Sequence, residues 1–289
     1  MLLFTCFVQS RAPGPMCTDY QPLPLTAKEK VSILHDHNFY RSIVASGNET
    51  RGSPGPQPSA SNMAELVSII DTLTTWDTEL EEVAQRWADQ CMIDDHDACR
   101  DVARFHVGQN MLAGGDTGPV FNSDVPDLVQ KWYDEVDIFD SSVVQRYHMP
   151  PRNGADWGHY TQIVWANTLN VGCARAMFLS NSDNPPLRME FLVCNYGPGG
   201  NFQKRPVYKT GRPASNCKLV CYCLVTWRFR GKVSDFYAGG WGSILDPGTD
   251  LSDYPTLPRF IDQLRSMNLP TDVDSLRGLI DKVFKRREE

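Results

Sequence analysis

Two stretches just past the middle of the chain, "GHYTQIVWANTLNVGCARA" (residues 158–176) and "LRMEFLVCNYGPGGNF" (residues 187–202), decide the fold class. Both are rich in β-branched and aromatic residues and are bounded by clusters of Asn, Ser and Pro, a composition typical of β-strands. The pattern predicts strands over residues 160–165, 170–178 and 187–196.

Upstream of these strands, apolar residues recur every three or four positions, which predicts helices. The segment 26–47 begins with a capping box, Thr26 followed by Glu29, and ends at Gly47. Helices followed by strands predict an α+β fold, a layered sandwich in which helices pack on a sheet. The other helical patterns cover residues 63–73, 76–91 and 124–139.

Composition limits the class of protein and partner. Of the 289 residues, 41% are apolar and 22% are charged, as in ordinary soluble globular proteins. The formal net charge of −7 argues against a nucleic acid or an anionic membrane as a general partner. No stretch approaches the roughly 20 consecutive apolar residues of a membrane span, so we expect no transmembrane segment.

The N-terminus and the cysteines predict a secreted, extracellular protein. Residues 1–10 resemble a short signal-peptide remnant, and cleavage after Ser10 would also remove Cys6. The nine cysteines then become an even eight, which suits disulfide pairing. A sequon in a Pro/Gly/Ser-rich loop marks Asn48 as a predicted glycosylation site. The eight cysteines are Cys17, Cys91, Cys99, Cys173, Cys194, Cys217, Cys221 and Cys223.

Five blocks in this order resemble the CAP superfamily, which groups cysteine-rich secretory proteins, insect venom antigen 5, plant pathogenesis-related proteins and the venom-allergen-like proteins of parasitic worms. The resemblance covers residues 26–208 and implies a three-layer α-β-α sandwich. Residues 209–223 resemble the cysteine-rich hinge of some animal members. The blocks are "HNFYR" (37–41), "GQNM" (108–111), "KWYDEV" (131–136), "GHYTQIVWANTLNVGC" (158–173) and "FLVCNYGPGGNF" (191–202).

Residues 224–289 form a C-terminal extension that matches no block of the superfamily. The extension ends in a predicted amphipathic helix over residues 271–289 with basic residues in its last turns. We expect this helix to pack on its own domain, and a membrane-surface or partner helix is the alternative.

Members of this superfamily keep a central cavity lined by two His and two acidic residues. The resemblance places these positions at His96, Gln109, Glu135 and His159, with Gln109 where many members have Glu. Two imidazoles and one carboxylate are a recognisable ligand set for Zn²⁺ or another divalent cation, although no cofactor is required. A hydrogen-bonded structural cluster without metal is the alternative.

The amide of Gln109 argues against catalysis. An amide donates and accepts hydrogen bonds but takes up no proton at ordinary pH, and with Glu135 as a ligand no second carboxylate remains as a base. We therefore expect no enzymatic activity. A metal-dependent hydrolase of peptide or ester bonds is the alternative.

The resemblance also implies that Cys173 pairs with Cys194 and bridges the two strand blocks. Proximity along the chain suggests a second pair between Cys91 and Cys99. Cys17 then requires a partner in the cluster at residues 217–223 or elsewhere.

Three polar residues of the first predicted helix, His37, Asn38 and Arg41, are expected to form a buried network that ties this helix to the sheet. Buried polar atoms must be satisfied, and this set can bond to backbone groups of neighbouring elements. A ligand role for His37 is the less favoured interpretation.

The superfamily includes sterol and fatty-acid binders, whose sterol site is an aromatic-rich loop after the Glu-bearing helix. The corresponding loop here is residues 136–154, and its aromatic and Met side chains suit a sterol ring system, although each could equally be a core residue. We expect a secreted, venom-allergen-like protein that binds a lipid or an extracellular protein partner such as a receptor. The predicted lipid-contact residues are Trp132, Tyr133, Phe139, Tyr147 and Met149.

Overall fold

The computed structural model describes residues 12–15, 17–64, 66, 76–116, 125–150, 156–180, 186–213 and 215. Its centre is an antiparallel sheet of four described strands: β1 (Thr18–Pro22), β2 (Gly108–Asp116), β3 (Asn170–Ser180) and β4 (Leu187–Gly197). The strand order is β1–β3–β4–β2, so β4 is central and β2 is an edge strand.

The described helices are α1 (Ala27–Ser46), α2 (Thr78–Ala88), α3 (Val125–Tyr133) and α4 (Gly158–Ile163). Two short 3₁₀ helices, Asp134–Ile138 and Ser141–Gln145, follow α3. The prediction of helices over 26–47 and 76–91 is confirmed. The pattern over 124–139 continues beyond Tyr133 as the first 3₁₀ helix rather than as α-helix.

The ends of α1 form as the sequence predicts. The side chain of Thr26 accepts a hydrogen bond from the backbone N–H of Glu29, and the Glu29 carboxylate accepts one from the backbone N–H of Thr26 at 2.7 Å. Gly47 ends the helix in the left-handed conformation, with φ of 75°. The capping box and the C-terminal glycine each depend only on neighbouring residues, so both can be recognised in the sequence.

The sheet lies between two helical layers, which confirms the predicted α+β sandwich. On one face, β3 and β4 side chains such as Val171, Leu192 and Tyr196 pack in the same core as α1, α3 and α4. On the other face, the alternate residues of the same strands, among them Ala174 and Phe191, pack against α2. The two-residue period of a strand divides the side chains between the two cores.

The strand predicted over residues 160–165 is wrong, because residues 160–163 belong to α4. Its β-branched residues and aromatics are buried in the core, and tertiary packing overrides a weak strand preference in so short a segment. The strands β1 and β2 were not predicted, whereas those over 170–178 and 187–196 are confirmed as parts of β3 and β4.

Two disulfide bonds join described cysteines. Cys173 and Cys194 are direct cross-strand partners and are bonded, as the resemblance implies. The suggested pair of Cys91 with Cys99 is wrong, because Cys91 is bonded to Cys17 across 74 residues of sequence. Cys99 is disulfide-bonded as well. Proximity in sequence misled the prediction because the fold brings the segment before β1 to the end of α2.

Several predictions lie outside the described residues: the signal-peptide remnant at 1–10, almost all of the helix at 63–73, Cys217, Cys221 and Cys223, and the extension at 224–289. Among the residues that are described, no helix is long and apolar enough to span a bilayer.

Candidate functional site

The four predicted cavity residues gather around one point of the edge strand β2, at Gln109 and Asn110. Gln109 bonds to the ring of His96, which precedes β2 in the chain. Asn110 donates to the backbone carbonyl of His159 in α4 at 3.2 Å. Successive residues of a strand face opposite sides of a sheet. Gln109 therefore contacts the ring of His96 from one face, and Asn110 contacts the backbone of His159 from the other.

His159 is held by the carboxylate of Glu135. Glu135 Oε1 accepts from His159 Nδ1 at 2.5 Å, and Oε2 accepts from the backbone N–H groups of His159 and Tyr160 at 2.9 and 3.0 Å. The N-cap residue of α4, Trp157, makes no side-chain capping bond, so Glu135 caps this helix from a distant part of the chain. Both oxygens of Glu135 are therefore committed to α4. In the structure, this carboxylate orients the imidazole of His159.

His96 is held by an amide rather than a carboxylate. Gln109 Oε1 accepts from His96 Nδ1 at 2.9 Å and from the backbone N–H of Asp97 at 3.1 Å. Gln109 Nε2 donates to Asn195 Oδ1 at 3.0 Å. Within the described part of the chain, Nε2 of neither His96 nor His159 has a hydrogen-bond partner.

The electrostatic surroundings favour a neutral His96. The residue retains access to solvent, yet desolvation of its ring lowers its pKa below the usual range. The hydrogen bond to Gln109 raises the pKa of His96, whereas the charge of Arg100 and the neighbouring His159 lower it. Asp156 acts in the opposite direction. A neutral imidazole is the form that binds a metal ion.

The network predicted around α1 forms in part: His37 reaches the sheet, whereas Asn38 is half-buried and accepts from the backbone N–H of Leu66 at 2.7 Å. Nδ1 of His37 donates to the Ile33 carbonyl at 2.7 Å, so Nε2 accepts from the Tyr196 hydroxyl at 2.8 Å. Asn110 in turn donates to Tyr196 at 3.2 Å. Burial lowers the pKa of His37 to about 4, so the ring is neutral. Both of its nitrogens are occupied by hydrogen bonds, so His37 serves structure rather than ligand binding.

Four of the five predicted lipid-contact residues belong to the core instead of a ligand surface. Trp132, Tyr133, Phe139 and Tyr147 are at most 1% exposed. Met149 is 65% exposed, and Ile138 of the same loop is 38% exposed. Spacing along the loop cannot separate a core aromatic from a surface one, because large aromatics are frequently buried.

Sequence reasoning missed three polar residues at the site: Asn110, Asn195 and Asp156. Asn110 and Asn195 are 1% and 0% exposed, inside otherwise apolar strands. A buried amide in a strand needs partners, and this was the signal available in the sequence. Asp156 lies three residues before His159, and nothing local distinguished its carboxylate from other surface acids.

Comparison with known sequences identifies the family. Residues 34–196 match the profile of the cysteine-rich secretory protein family, CAP. The chain belongs to the CAP family. Venom allergen 3 of Solenopsis invicta is 44% identical over 205 residues, a match that covers 71% of this chain and 82% of the allergen. Venom allergen 5 of Vespula maculifrons is 45% identical over 186 residues, covering 64% and 82% respectively.

Solved CAP structures share the fold. The crystal structure of Na-ASP-1 is similar with a TM-score of 0.53 and 27% identity, and the match covers 72% of this chain and 47% of Na-ASP-1. The crystal structure of NaASP2 with Zn²⁺ is similar with a TM-score of 0.50 and 26% identity, covering 72% of this chain and 94% of NaASP2. The chain is thus a venom-allergen-like CAP protein whose sandwich is that of the family.

Proposed function

We propose that this CAP protein is a secreted, non-enzymatic binding protein that holds a divalent cation, Zn²⁺ in the first instance, between His96 and His159. The observation that carries the proposal is the pairing of both Nδ1 atoms with acceptors, Gln109 and Glu135, which leaves each Nε2 as a lone-pair donor. Metal-binding histidines commonly donate their other ring N–H to a carboxylate or carbonyl oxygen in this way.

The donor set fits a weak site. Among the described residues, no group of three or more His, Cys, Asp and Glu side chains is placed to hold a metal ion. Two imidazoles would therefore bind Zn²⁺ with water in the remaining positions, whereas catalytic zinc sites have three protein ligands. The similarity to NaASP2, whose structure was solved with Zn²⁺, supports the choice of cation.

When bound, Zn²⁺ would supply Lewis acidity and a polarised water. The surrounding side chains offer little to a hydrolytic reaction. Gln109 cannot take up a proton, and Glu135 would have to release bonds to His159 and Tyr160 to act as a base. These two residues support a binding role over the alternative of a peptide or ester hydrolase.

Secretion is part of the proposal. The Cys17–Cys91 and Cys173–Cys194 bonds, together with the bonded state of Cys99, support an oxidising compartment. The exposed side chain of Asn48 is open to a glycan. We include an extracellular protein partner in this proposal.

Calorimetric titration with Zn²⁺ tests the cation site. We expect saturable binding near one ion per chain, weakened at least about tenfold in His159→Ala and in His96→Ala because each removes one of two ligands. His106→Ala is the matched control, since His106 is exposed and bonds Asp101 at 2.9 Å. Identical heats for the wild type and His159→Ala would exclude the site.

Lipid binding is a second candidate, favoured by the exposed apolar side chains Ile138 and Met149 of the loop after α3. Trp157 is half-buried and contacts both Phe139 and His148 of this loop, with ring centroids 6.0 and 5.8 Å apart. A sterol could cover these groups without disturbing the buried aromatics. The loop thus offers a surface, although not the aromatic one expected from the sequence.

Binding of radiolabelled cholesterol tests this candidate. The double variant Ile138→Ser/Met149→Ser is expected to bind about tenfold more weakly, since losing two partly buried apolar contacts costs about 1.4 kcal/mol. Leu169→Ser is the control, because Leu169 is 46% exposed but lies outside the loop. Absence of saturable binding by the wild type would rule out the sterol role.

A further inference from the structure

A chain of side-chain hydrogen bonds crosses the sheet from α2 to the ring of His96. Asn195 Nδ2 donates to the backbone carbonyl of Leu80 at 3.3 Å. Asn195 Oδ1 accepts from Gln109 Nε2 at 3.0 Å, and Gln109 Oε1 accepts from His96 Nδ1 at 2.9 Å. Asn195 and Gln109 are 0% and 8% exposed, so water competes little for these bonds.

Two backbone groups set the direction of every bond in this chain. The Leu80 carbonyl can only accept, which turns the NH₂ group of Asn195 towards it and leaves Asn195 Oδ1 for Gln109. The backbone N–H of Asp97 can only donate, and it lies 3.1 Å from Gln109 Oε1. The atom of Gln109 that faces His96 is therefore an acceptor, and a neutral His96 must carry its proton on Nδ1.

The strand register explains why the chain can form. Asn195 of β4 is the cross-strand partner of Gln109 in β2 and of Gly172 in β3, so the three residues lie side by side on the α2 face. A Cβ atom on Gly172 would stand 2.3 Å from the carbonyl oxygen of Asp77 and 2.9 Å from the carbonyl carbon of Leu80. The missing side chain lets the first turn of α2 approach β4.

We propose that Asn195 is a positioning residue for His96. Through Gln109 it holds the imidazole as the Nδ1–H tautomer and so keeps Nε2 free to bind a cation. The tautomer of His159 is fixed in the same way by Glu135 alone, so different residues orient the two rings. This positioning role rests on the proposed zinc site for its functional meaning. The tautomer itself requires no bound metal.

The test reads imidazole tautomers in the metal-free, ¹⁵N-labelled full chain by long-range ¹H–¹⁵N NMR, at a pH well above the usual histidine pKa. Comparison with His96→Gln assigns the His96 signals. In the wild type we expect both His96 and His159 to carry the proton on Nδ1. The Gln109 amide is oriented by Asn195 and by the backbone N–H of Asp97, and Asn195→Ala removes the first of these. We then expect His96 to populate both tautomers while His159 stays unchanged.

A rescue variant separates positioning from general damage. A carboxylate can only accept from a ring N–H, so Asn195→Ala/Gln109→Glu is expected to restore the Nδ1–H tautomer of His96. Asn110→Ala is the matched control, since Asn110 is the next residue of β2 but bonds the His159 carbonyl instead. Zn²⁺ affinity is expected to fall about tenfold in Asn195→Ala and to recover in the rescue variant.

Two results would overturn the proposal: an Nε2–H tautomer of His96 in the wild type, or an unchanged tautomer in folded Asn195→Ala. If Asn195→Ala does not fold, Asn195→Ser provides the same comparison. A wild type with the expected tautomers but no heat of Zn²⁺ binding would refute the proposed cation site and leave the positioning role intact.

Discussion

Replacing Arg41 with alanine is expected to lower the free energy of unfolding by about 4 kcal/mol. The guanidinium group is 0% exposed and donates to the carbonyls of Ile163, Trp165 and Thr168 at 2.8, 2.9 and 3.3 Å. It also bonds the Ala64 carbonyl twice, at 2.9 and 2.6 Å. Each buried carbonyl left without a donor costs about 1–3 kcal/mol. Water that enters the vacated space can hydrate some of these carbonyls, which limits the total loss of stability.

Urea denaturation followed by tryptophan fluorescence measures this loss. Arg205→Ala is the control, because Arg205 is exposed, and we expect it to change stability by less than about 0.5 kcal/mol. Arg41→Lys should be intermediate, since an ammonium group cannot reach carbonyls on both sides as a planar guanidinium does. Stability of Arg41→Ala within 1 kcal/mol of the wild type would contradict the assignment of these bonds.

Gly172→Ala is the second change with a large expected effect, about 3 kcal/mol of lost stability. The added Cβ would stand 2.3 Å from the Asp77 carbonyl oxygen and 2.4 Å from the Glu81 nitrogen. Both are backbone atoms of the α2 N-terminus, so no side-chain rotation relieves the clash and the helix must move away from β3. Overpacking of this kind typically costs 1–3 kcal/mol, and backbone neighbours place it at the upper end.

The same denaturation assay compares this variant with Gly158→Ala. A Cβ on Gly158 meets the flexible carboxylate of Asp156 at 3.1 Å and nothing else closer than 3.8 Å. We expect Gly158→Ala to leave stability unchanged or raise it by up to about 1 kcal/mol, since alanine favours the helical conformation of α4. Equal stabilities of the two alanine variants would show that α2 does not depend on close approach at Gly172.

The sequence predicted which residues form the site, but not the role that each residue plays in it. His96, Gln109, Glu135 and His159 do come together at β2, as the resemblance implied. That Glu135 caps α4 could not be read from sequence, because its partners at His159 and Tyr160 are 24 and 25 residues away. A cap of this kind leaves no local pattern, unlike the capping box at Thr26.

The lipid-contact residues show a second limit. Phe139 and Tyr147 occupy a loop where spacing permits either a surface or a core position, and their burial depends on which helices pack over them. The single exposed member, Met149, has no property in the sequence that separates it from the other four. Exposure is a property of the assembled layers and not of the loop itself.

The sequence by itself determined the features whose partners lie within a few residues or repeat along one element. These are the capped helix α1, the strands β3 and β4, and the α+β class. Only the tertiary structure decided the Cys17–Cys91 bond, the helical form of α4 and the hydrogen-bonded chain from Leu80 to His96. Each of these depends on groups far apart in sequence, and it stabilises the protein only once the fold has brought those groups together.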